Sequence, residues 1–239
     1  MAQYIYGKNA IMSRIQKGGD IEEIILHEGF KDRKILEAIK DYQIRYLPMS
    51  KIDKLVKGNH QGIVAKIETY EYTPLDKLKK IIKDKENPLI LVLDGVEDPH
   101  NVGAIIRTCD AIGVDGVILK KHGACPLTST VAKVSTGALE FVPVVEVTNL
   151  TNFLKDMKKE GFWVFGAEAS NSVDYRAGDY RGKVILVVGS EGKGISRLVL
   201  EECDVKIALP MVGHVNSLNV SVATAILLYE IYSIRNPLK

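Results

Sequence analysis

Cysteine is scarce in this chain of 239 residues, which contains only Cys109, Cys125 and Cys203. These cysteines are odd in number and widely spaced, so they form neither a disulfide framework nor the Cys-x-x-Cys pattern of a zinc site. A disulfide-stapled secreted domain is therefore excluded, and we expect no metal. The composition predicts buried, reduced thiols in a cytoplasmic protein.

Long hydrophobic runs are missing as well. Apolar stretches such as residues 184–188 fall far short of the roughly 20 residues that span a bilayer. The N-terminus has no basic segment followed by an apolar one, which a secretory signal would show. We therefore expect no association with a membrane.

Net charge is small, at +2, so the chain is not a polycation. The charge is nevertheless unevenly distributed: residues 1–85 carry 17 Lys and Arg against 12 Asp and Glu, and residues 86–239 carry 15 against 18. A basic part beside a slightly acidic part indicates a polyanion-binding module joined to a module with another task. The densest basic run, residues 77–85, is interpreted as a solvated helical linker.

Composition is otherwise that of a folded protein, with 46% hydrophobic and 26% charged residues, and it excludes a disordered chain. The apolar pattern predicts two domains. Residues 1–70 alternate short strands and helices in a small α/β domain, and residues 71–87 form a linker. In residues 88–239, continuous apolar strands alternate with helices, as in an open parallel sheet whose site lies at the carboxyl ends of its strands.

Three loops that follow strands of the second domain carry unusual residues. In the first, Pro99 and Asn101 suit the entrance of a helix. Arg107 lies less than two turns further on, where a cation opposes the helix dipole. This placement indicates a nearby anion, and an ordinary surface arginine is the alternative.

The second loop, residues 188–196, has glycines at positions 189, 192 and 194, directly after a buried strand. Glycines there allow a ligand to approach the backbone closely. The spacing is not that of a Walker A motif, and Arg197 occupies the third glycine position of a dinucleotide fingerprint. The pattern therefore disfavours a nucleotide phosphate site, and a plain tight turn is the alternative.

The third loop, residues 209–221, clusters Asn216, Ser217 and Asn219 at the start of a helix that is apolar nearly all round. Such a helix is buried on several sides, which predicts a subunit interface as well as contact with the core. The polar residues cap the helix, form part of a site, or do both.

Together, the three loops resemble the motifs of the SpoU (TrmH-like) family of RNA 2′-O-ribose methyltransferases in the SPOUT superfamily. The matching patterns are Asn-x-Gly-x-x-x-Arg at 101–107, Gly-x-Glu-Gly-x-Gly at 189–194, and Leu-Pro-Met followed by Ser-Leu-Asn-Val-Ser between 209 and 221. Shorter cues at 6–10 and 60–63 resemble the substrate-binding domain of the family's rRNA enzymes. The resemblance covers nearly the whole chain.

The resemblance implies an α/β fold with a C-terminal SPOUT α/β-knot domain, which has a mostly parallel sheet and a deep trefoil knot, and a small N-terminal α/β RNA-binding domain like a ribosomal protein. It also implies S-adenosylmethionine (S-adenosyl-L-methionine) as cofactor, RNA as partner and a homodimer formed through the knotted domain and the C-terminal helix. The expected cofactor-binding residues are Gly189, Ser190, Gly192, Leu209, Met211 and Leu218. The expected catalytic residues are Arg107, Asn101, Glu191, Ser217 and Asn219.

Methyl transfer to a ribose 2′-hydroxyl needs alignment and activation of a weak nucleophile. The family's proposed base corresponds to Arg107, but a guanidinium with a pKa above roughly 12 is a poor base. We therefore expect Arg107 to bind the target phosphate and Glu191 to hold Arg107 in place. We expect Asn101, Ser217 and Asn219 to position the ribose.

The sequence leaves the substrate open. A separate N-terminal domain favours rRNA, with a guanosine of 23S rRNA as first choice, whereas shorter family members methylate a tRNA guanosine. Outside enzymes, the alternative is a non-catalytic RNA-binding module, against which the presence of Arg107, Ser217 and Asn219 argues. The glycine spacing disfavours a dinucleotide-binding dehydrogenase.

Overall fold

The computed structural model describes residues 3–238, which group into two compact units. Unit 1 contains the residues up to Glu71 together with Leu127–Phe141. Unit 2 contains Tyr72–Pro126 and the residues from Val142 onward. The predicted division near residues 70 and 88 did not anticipate that unit 1 takes a second segment of chain.

Strands and helices follow one another along both units. The strands are β1 (Gln3–Tyr6), β2 (Glu23–His27), β3 (Ile44–Leu47), β4 (Ile63–Ile67), β5 (Leu89–Asp94), β6 (Gly116–Lys120), β7 (Val144–Val147), β8 (Trp163–Ala167), β9 (Val173–Asp174), β10 (Val184–Gly189) and β11 (Val205–Ala208). The α-helices are α1 (Lys8–Lys17), α2 (Arg33–Ala38), α3 (Met49–Leu55), α4 (Leu75–Ile82), α5 (Pro99–Ile112), α6 (Ser129–Val134), α7 (Leu150–Lys159), α8 (Arg197–Leu200) and α9 (Val220–Arg235).

Unit 1 is built on a four-stranded sheet with the strand order β1-β4-β2-β3. Strand β4 pairs antiparallel with β1 and β2, and β3 runs parallel to β2. Local sequence sets the helix ends: Asp32 accepts the N–H of Ile35 at the start of α2, and Gly18 ends α1 with a φ of 71°, which glycine adopts without strain. The predicted small N-terminal α/β domain is confirmed.

A buried ion pair ties the second segment into unit 1. Arg14 Nη1 lies 3.4 Å from Glu140 Oε1, and the two side chains are only 10% and 7% exposed. Tyr70 donates its hydroxyl to Glu140 at 2.9 Å, and burial, followed by the charge of Glu140, raises the pKa of Tyr70. Because a buried charge without its partner is costly, residues 127–141 are an integral part of this unit.

Unit 2 is built on a seven-stranded sheet with the order β7-β6-β5-β10-β8-β11-β9, and the named strands pair in parallel. This confirms the predicted parallel sheet. The chain leaves β5 towards β6 and β7 and later returns to the other side of β5 at β10. The loops after β5 and β10 therefore meet where the strand order reverses, which is where open α/β sheets bind ligands.

The predicted linker contains α4, and this helix buries Leu78 and Ile82 in the core of unit 2. Gly116 makes room for it, since a Cβ there would lie 2.7 Å from Leu78 Cδ1. Lys85 pairs with the buried carboxylate of Asp115, which also accepts the N–H of Leu89 at 2.8 Å. The interpretation of residues 77–85 as a solvated helical linker is therefore confirmed for the helix, but the run is not solvated all round, because one face of α4 belongs to the core.

Helix α9 buries one face and exposes an apolar stripe on another. The stripe consists of Val222, Ile226, Tyr229 and Tyr232, which are 37% to 50% exposed and recur every three or four residues. The trefoil knot implied by the resemblance stays a prediction. Within residues 3–238, no helix is both long enough and apolar enough to cross a membrane.

The C-terminal end of α9 is fixed by one arginine. The Arg235 guanidinium donates to the carbonyl oxygens of Asn87 at 2.8 Å, Tyr180 at 2.9 Å and Gly182 at 2.8 Å. Burial lowers the pKa of Arg235, but a guanidinium still remains protonated at neutral pH. The planar side chain thereby joins the helix to the amino ends of β5 and β10.

Candidate active site

A cavity of about 530 Å³ lies at the carboxyl ends of β5 and β10. Its walls are the loop after β5, the glycine-containing loop after β10, Asn101 from the start of α5 and Val220 from the start of α9. The cavity therefore occupies the crevice that the strand order predicts.

The loop after β10 folds back on itself. The N–H of Gly194 donates to the carbonyl of Ser190 at 3.0 Å, and the N–H of Ser190 donates to the carbonyl of Gly194 at 3.2 Å. Gly192 and Gly194 have φ angles of 85° and 64°. At Gly189, a Cβ would lie 2.0 Å from the carbonyl carbon of Gly194, so only glycine fits this position.

Two carboxylates, one at the end of β5 and one in the loop after it, order the neighbouring backbone. Asp94, which is 9% exposed, accepts the N–H of Ser196 at 2.7 Å and so fixes the far end of the glycine loop. Asp98 accepts the N–H of His100 at 2.9 Å and caps α5. The cap places Asn101 in the first turn of α5, facing the cavity.

Three polar side chains from three different elements converge beside the cavity. Asn219 Nδ2 donates to Asn101 Oδ1 at 2.9 Å and to Glu191 Oε1 at 2.6 Å. Asn101 Nδ2 donates to the same Glu191 oxygen at 3.2 Å, as does the N–H of Val220 at 3.3 Å. Asn219 Oδ1 meanwhile accepts the N–H of Ser221 at 3.0 Å and caps α9. A single side chain thus starts the helix and fixes the site.

The predicted catalytic residues are only partly brought together. Asn101, Glu191 and Asn219 form the network just described. Arg107 is exposed on α5 and, within the described part of the chain, makes no hydrogen bond or ion pair. Within residues 3–238 no ion pair joins Glu191 to Arg107; Glu191 Oε1 instead accepts the amides of Asn101 and Asn219. Ser217 is exposed in the loop before α9 and does not line the cavity.

The predicted cofactor-binding residues divide in a similar way. Ser190 lines the cavity, and Gly189 precedes it in the tightly folded loop. Gly192 is at the exposed tip of that loop. The remaining residues lie in the loop between β11 and α9, outside the cavity lining, and their role stays a prediction: Leu209, Met211 and Leu218.

Sequence reasoning missed the acidic character of the cavity. Asp94, Glu97 and Asp98 line it together with Glu191, and Lys193 is the one cation among its lining residues. Such a lining favours a positively charged ligand. The sequence feature that could have predicted this lining is the acidic run between residues 94 and 98. Among residues 3–238, no group of three or more His, Cys, Asp or Glu is arranged to hold a metal ion.

Comparison with known proteins gives matches along nearly the whole chain. The SpoU rRNA Methylase family model matches residues 88–229, and a model described as RNA 2′-O ribose methyltransferase substrate binding matches residues 4–73. A putative TrmH family tRNA/rRNA methyltransferase of Staphylococcus aureus (strain COL) is 48% identical in an alignment of 238 positions that covers 97% of this chain and 96% of the relative.

Two solved structures differ in how much of the chain they match. An AdoMet-bound rRNA methyltransferase from Sinorhizobium meliloti matches 100% of this chain and 88% of its own, with a TM-score of 0.84 and 25% identity. A TrmH/SpoU tRNA modifying enzyme of A. aeolicus matches 67% of this chain and 83% of its own, with a TM-score of 0.57 and 35% identity.

Proposed function

The chain belongs to the SpoU rRNA methylase family, and we propose that it methylates the ribose 2′-hydroxyl of a guanosine in 23S rRNA. At the coarser level it is an RNA methyltransferase that uses S-adenosylmethionine. The observation that carries the proposal is the Asn101–Glu191–Asn219 network at the edge of an acidic crevice.

The crevice fits the cofactor. S-adenosylmethionine, when bound, supplies a methyl group on a positively charged sulfur, and a lining rich in carboxylates complements that charge. A volume of about 530 Å³ lies in the range of about 300–1,000 Å³ typical of small-molecule sites. The loop between Gly189 and Gly194 would hold the cofactor through its backbone, and Leu209, Met211 and Leu218 would complete the site.

The chain's own polar residues would align the ribose. Asn101 and Asn219 hold each other in one orientation through Glu191, so their amides are preorganised and lose little freedom when RNA binds. The guanidinium of Arg107 is uncommitted, so it is available to bind the phosphate beside the target ribose in a bidentate manner. Its positive charge would also stabilise negative charge that develops on the 2′-oxygen.

The extent of the matches favours rRNA over tRNA. The rRNA methyltransferase from Sinorhizobium meliloti matches the whole chain, whereas the tRNA modifying enzyme of A. aeolicus has no counterpart for a third of it. The substrate-binding match covers residues 4–73, within the basic N-terminal part. Phosphate contacts from such a domain add affinity without sequence information.

The exposed stripe on α9 supports a homodimer. Val222, Ile226, Tyr229 and Tyr232 form a continuous apolar face on one helix, and such faces mark interaction surfaces. We propose that two copies pair through this stripe. Sedimentation analysis should give a dimer for the wild-type protein and a monomer for Tyr229→Glu, and a monomeric wild-type protein would contradict the pairing.

Deletion of the gene, followed by mapping of 2′-O-methyl groups across rRNA and tRNA, tests the substrate. We expect one 23S rRNA guanosine to lose its methyl group, with every tRNA unchanged. Loss of a tRNA methyl alone would overturn the substrate, and no loss at all would overturn the activity. An Arg107→Lys variant should complement poorly, because lysine does not make the bidentate contact.

A further inference from the structure

Unit 1 contains a cavity of its own, of about 450 Å³, that has no part in methyl transfer as described above. It lies where the loops after β1, β2 and β3 meet the loop before β4. Its lining includes Lys8, His27, Phe30, Asn59 and Gln61. Loops gathered on a rigid sheet are a common place for binding residues.

The floor of this cavity is held by a buried histidine. His60, whose side chain is 7% exposed, accepts the N–H of Gly62 at Nδ1 over 3.1 Å. This bond leaves the proton on Nε2, which donates to Asp53 Oδ1 at 2.9 Å. Both ring nitrogens are thus engaged, and the imidazole supports the turn rather than binding a ligand through its edge.

Gln61 is fixed in an uncommon conformation on the wall of the cavity. Its φ is 55°, in the left-handed region that residues other than glycine rarely adopt. Its Oε1 accepts the backbone N–H of Lys8 at 3.0 Å, while its side-chain NH₂ keeps its donors. Strained residues of this kind concentrate at binding sites.

The charges around the cavity are largely neutralised. Asp32 pairs with Lys8 at 2.7 Å, and Asp53 is bonded to His60. Lys31 is exposed on the lining and makes no ion pair within the described residues. The interior therefore suits a neutral ligand, and the rim offers one free cation to an anionic group attached to it.

An aromatic ring completes the lining. Phe30 is half-buried, and the ammonium of Lys8 lies 5.5 Å from its centroid. Unpaired nucleobases stack on such rings and form hydrogen bonds to side-chain amides through their edges. A flat ring, the amides of Asn59 and Gln61, and a free lysine together match a base with its phosphate.

We propose that this cavity captures one unpaired nucleotide of the RNA substrate, distinct from the nucleotide that is methylated. The base stacks on Phe30, its edge meets the amides of Asn59 and Gln61, and its phosphate meets Lys31. The inference rests on the proposed function, since it takes RNA as the substrate. Because a duplex keeps its bases stacked, the cavity selects RNA that has a loop or a bulge.

Two matched substitutions in the full-length protein test the proposal. Phe30→Leu removes the ring from the cavity and keeps an apolar side chain. Phe141→Leu is the control, because Phe141 is another accessible ring of unit 1, is 38% exposed and lies 5.6 Å from a lysine ammonium, but does not line the cavity. Fluorescence anisotropy measures binding to a labelled RNA hairpin and to a fully paired duplex of equal length.

The wild-type protein should prefer the hairpin. Phe30→Leu should weaken hairpin binding by about 5- to 100-fold and leave duplex binding unchanged, whereas Phe141→Leu should preserve both. Phe30→Tyr, which keeps a ring, should restore the preference. An unchanged hairpin-to-duplex ratio in Phe30→Leu, or an equal loss in Phe141→Leu, would overturn the proposal. If thermal denaturation shows that Phe30→Leu is unfolded, Asn59→Ala and Lys31→Ala decide the matter by the same ratio.

Methyl transfer separates this inference from the proposed function. With ribosomal RNA from cells lacking the gene, Phe30→Leu should raise the KM for RNA and leave kcat unchanged at saturating RNA. If the wild-type protein transfers no methyl group while Phe30→Leu still loses the hairpin preference, the proposed function fails and the nucleotide site stands. If methyl transfer is normal and the preference is absent, the nucleotide site fails alone.

Discussion

Replacing Asn219 by Asp separates the two tasks of this side chain. Aspartate caps a helix as well as asparagine does, and a negative charge at a helix N-terminus is favourable, so the start of α9 should survive. The other carboxylate oxygen, however, would face Glu191 Oε1, to which the Asn219 amide now donates over 2.6 Å. The substitution therefore breaks the network while it keeps the cap.

The size of the expected effect of Asn219→Asp follows from the repulsion between its carboxylate and that of Glu191. At a separation of about 4 Å, near a partly solvated surface, the interaction is about 1–4 kcal/mol. We expect the single-turnover rate of methyl transfer to fall by about 10- to 100-fold, which is about 1.4–2.7 kcal/mol of barrier. The cap remains, but the same repulsion acts in the folded protein, so the free energy of unfolding at pH 8 should fall by about 1–4 kcal/mol.

The methyl-transfer rate of Asn219→Asp should depend on pH in a direction that the two carboxylates determine. Two adjacent carboxylates resist joint ionisation, so the pKa of one rises. As the pH falls from 8 towards 5, the pair takes up a proton that restores a donor between the two side chains. The rate of Asn219→Asp relative to wild type should therefore increase as the pH falls.

The activity assay measures transfer of tritiated methyl groups to rRNA from cells lacking the gene, at several pH values. Urea unfolding of the same variants measures their stability. Asn219→Ala is the control: it loses both the cap and the network, so it should unfold more easily by about 1 kcal/mol and show no such recovery at lower pH. A wild-type rate for Asn219→Asp at pH 8, or a relative rate independent of pH, would refute the reasoning.

Three further predictions concern other parts of the chain. Gly189→Ala should abolish cofactor binding in calorimetry, because its Cβ would lie 2.0 Å from the backbone of Gly194. The control is Gly213→Ala, whose Cβ would meet no described residue within 4 Å; it should bind normally, and equal affinities of the two variants would contradict this account. Arg235→Ala should lower the free energy of urea unfolding by about 2–4 kcal/mol, and Arg235→Lys should lower it by a smaller amount. An unchanged unfolding midpoint in Arg235→Ala would show that the three carbonyl contacts of Arg235 do not stabilise the fold. Burial raises the pKa of Cys125 to about 11 and that of Cys203 to about 12. A thiol reagent should therefore react slowly with the native protein at pH 8, faster at higher pH, and with all three thiols after denaturation. Rapid reaction of the native protein at neutral pH would contradict this prediction.

The core strands of unit 2 were predictable because each carries its signal locally. Residues 89–93 and 184–188 are continuously apolar, and the structure places them in β5 and β10, which are covered on both faces. Helix α4 was not predictable in the same way. Its lysines dominate the local pattern, and burial of Leu78 depends on the missing side chain of Gly116, which is distant in the sequence.

The segment around residue 135 is a second case in which contacts distant in the sequence decide the structure. Helix α6 ends at Val134, and a 3₁₀ turn follows at Ala138–Glu140. Thr136 and Gly137, with φ angles of 52° and 99°, break the helix. The pairing of Arg14 with Glu140 leaves no trace in the local sequence, so the membership of this segment in unit 1 could not be predicted.

The candidate site was predicted through motif resemblance rather than through spacing. Asn101 and Asn219 are far apart in the chain, and only the sheet topology and the start of α9 bring their amides to within 2.9 Å. The bonds from both amides to Glu191 were not predicted, because a sequence does not show which of several possible partners a carboxylate meets. Two amides and a backbone N–H donate to Glu191 Oε1, and no ion pair joins Arg107 to Glu191 within the described residues.

Unit 1 is formed by two separate segments of the chain, and this has a consequence for protein synthesis. Residues up to Glu71 leave the ribosome first, but Leu127–Phe141 of the same unit follow only after β5 and β6 have been made. At roughly 5–20 residues per second, the N-terminal portion waits about 4–14 s for its last segment. During that interval the ion pair between Arg14 and Glu140 cannot form. Co-translational folding of this chain therefore cannot proceed strictly one domain after the other.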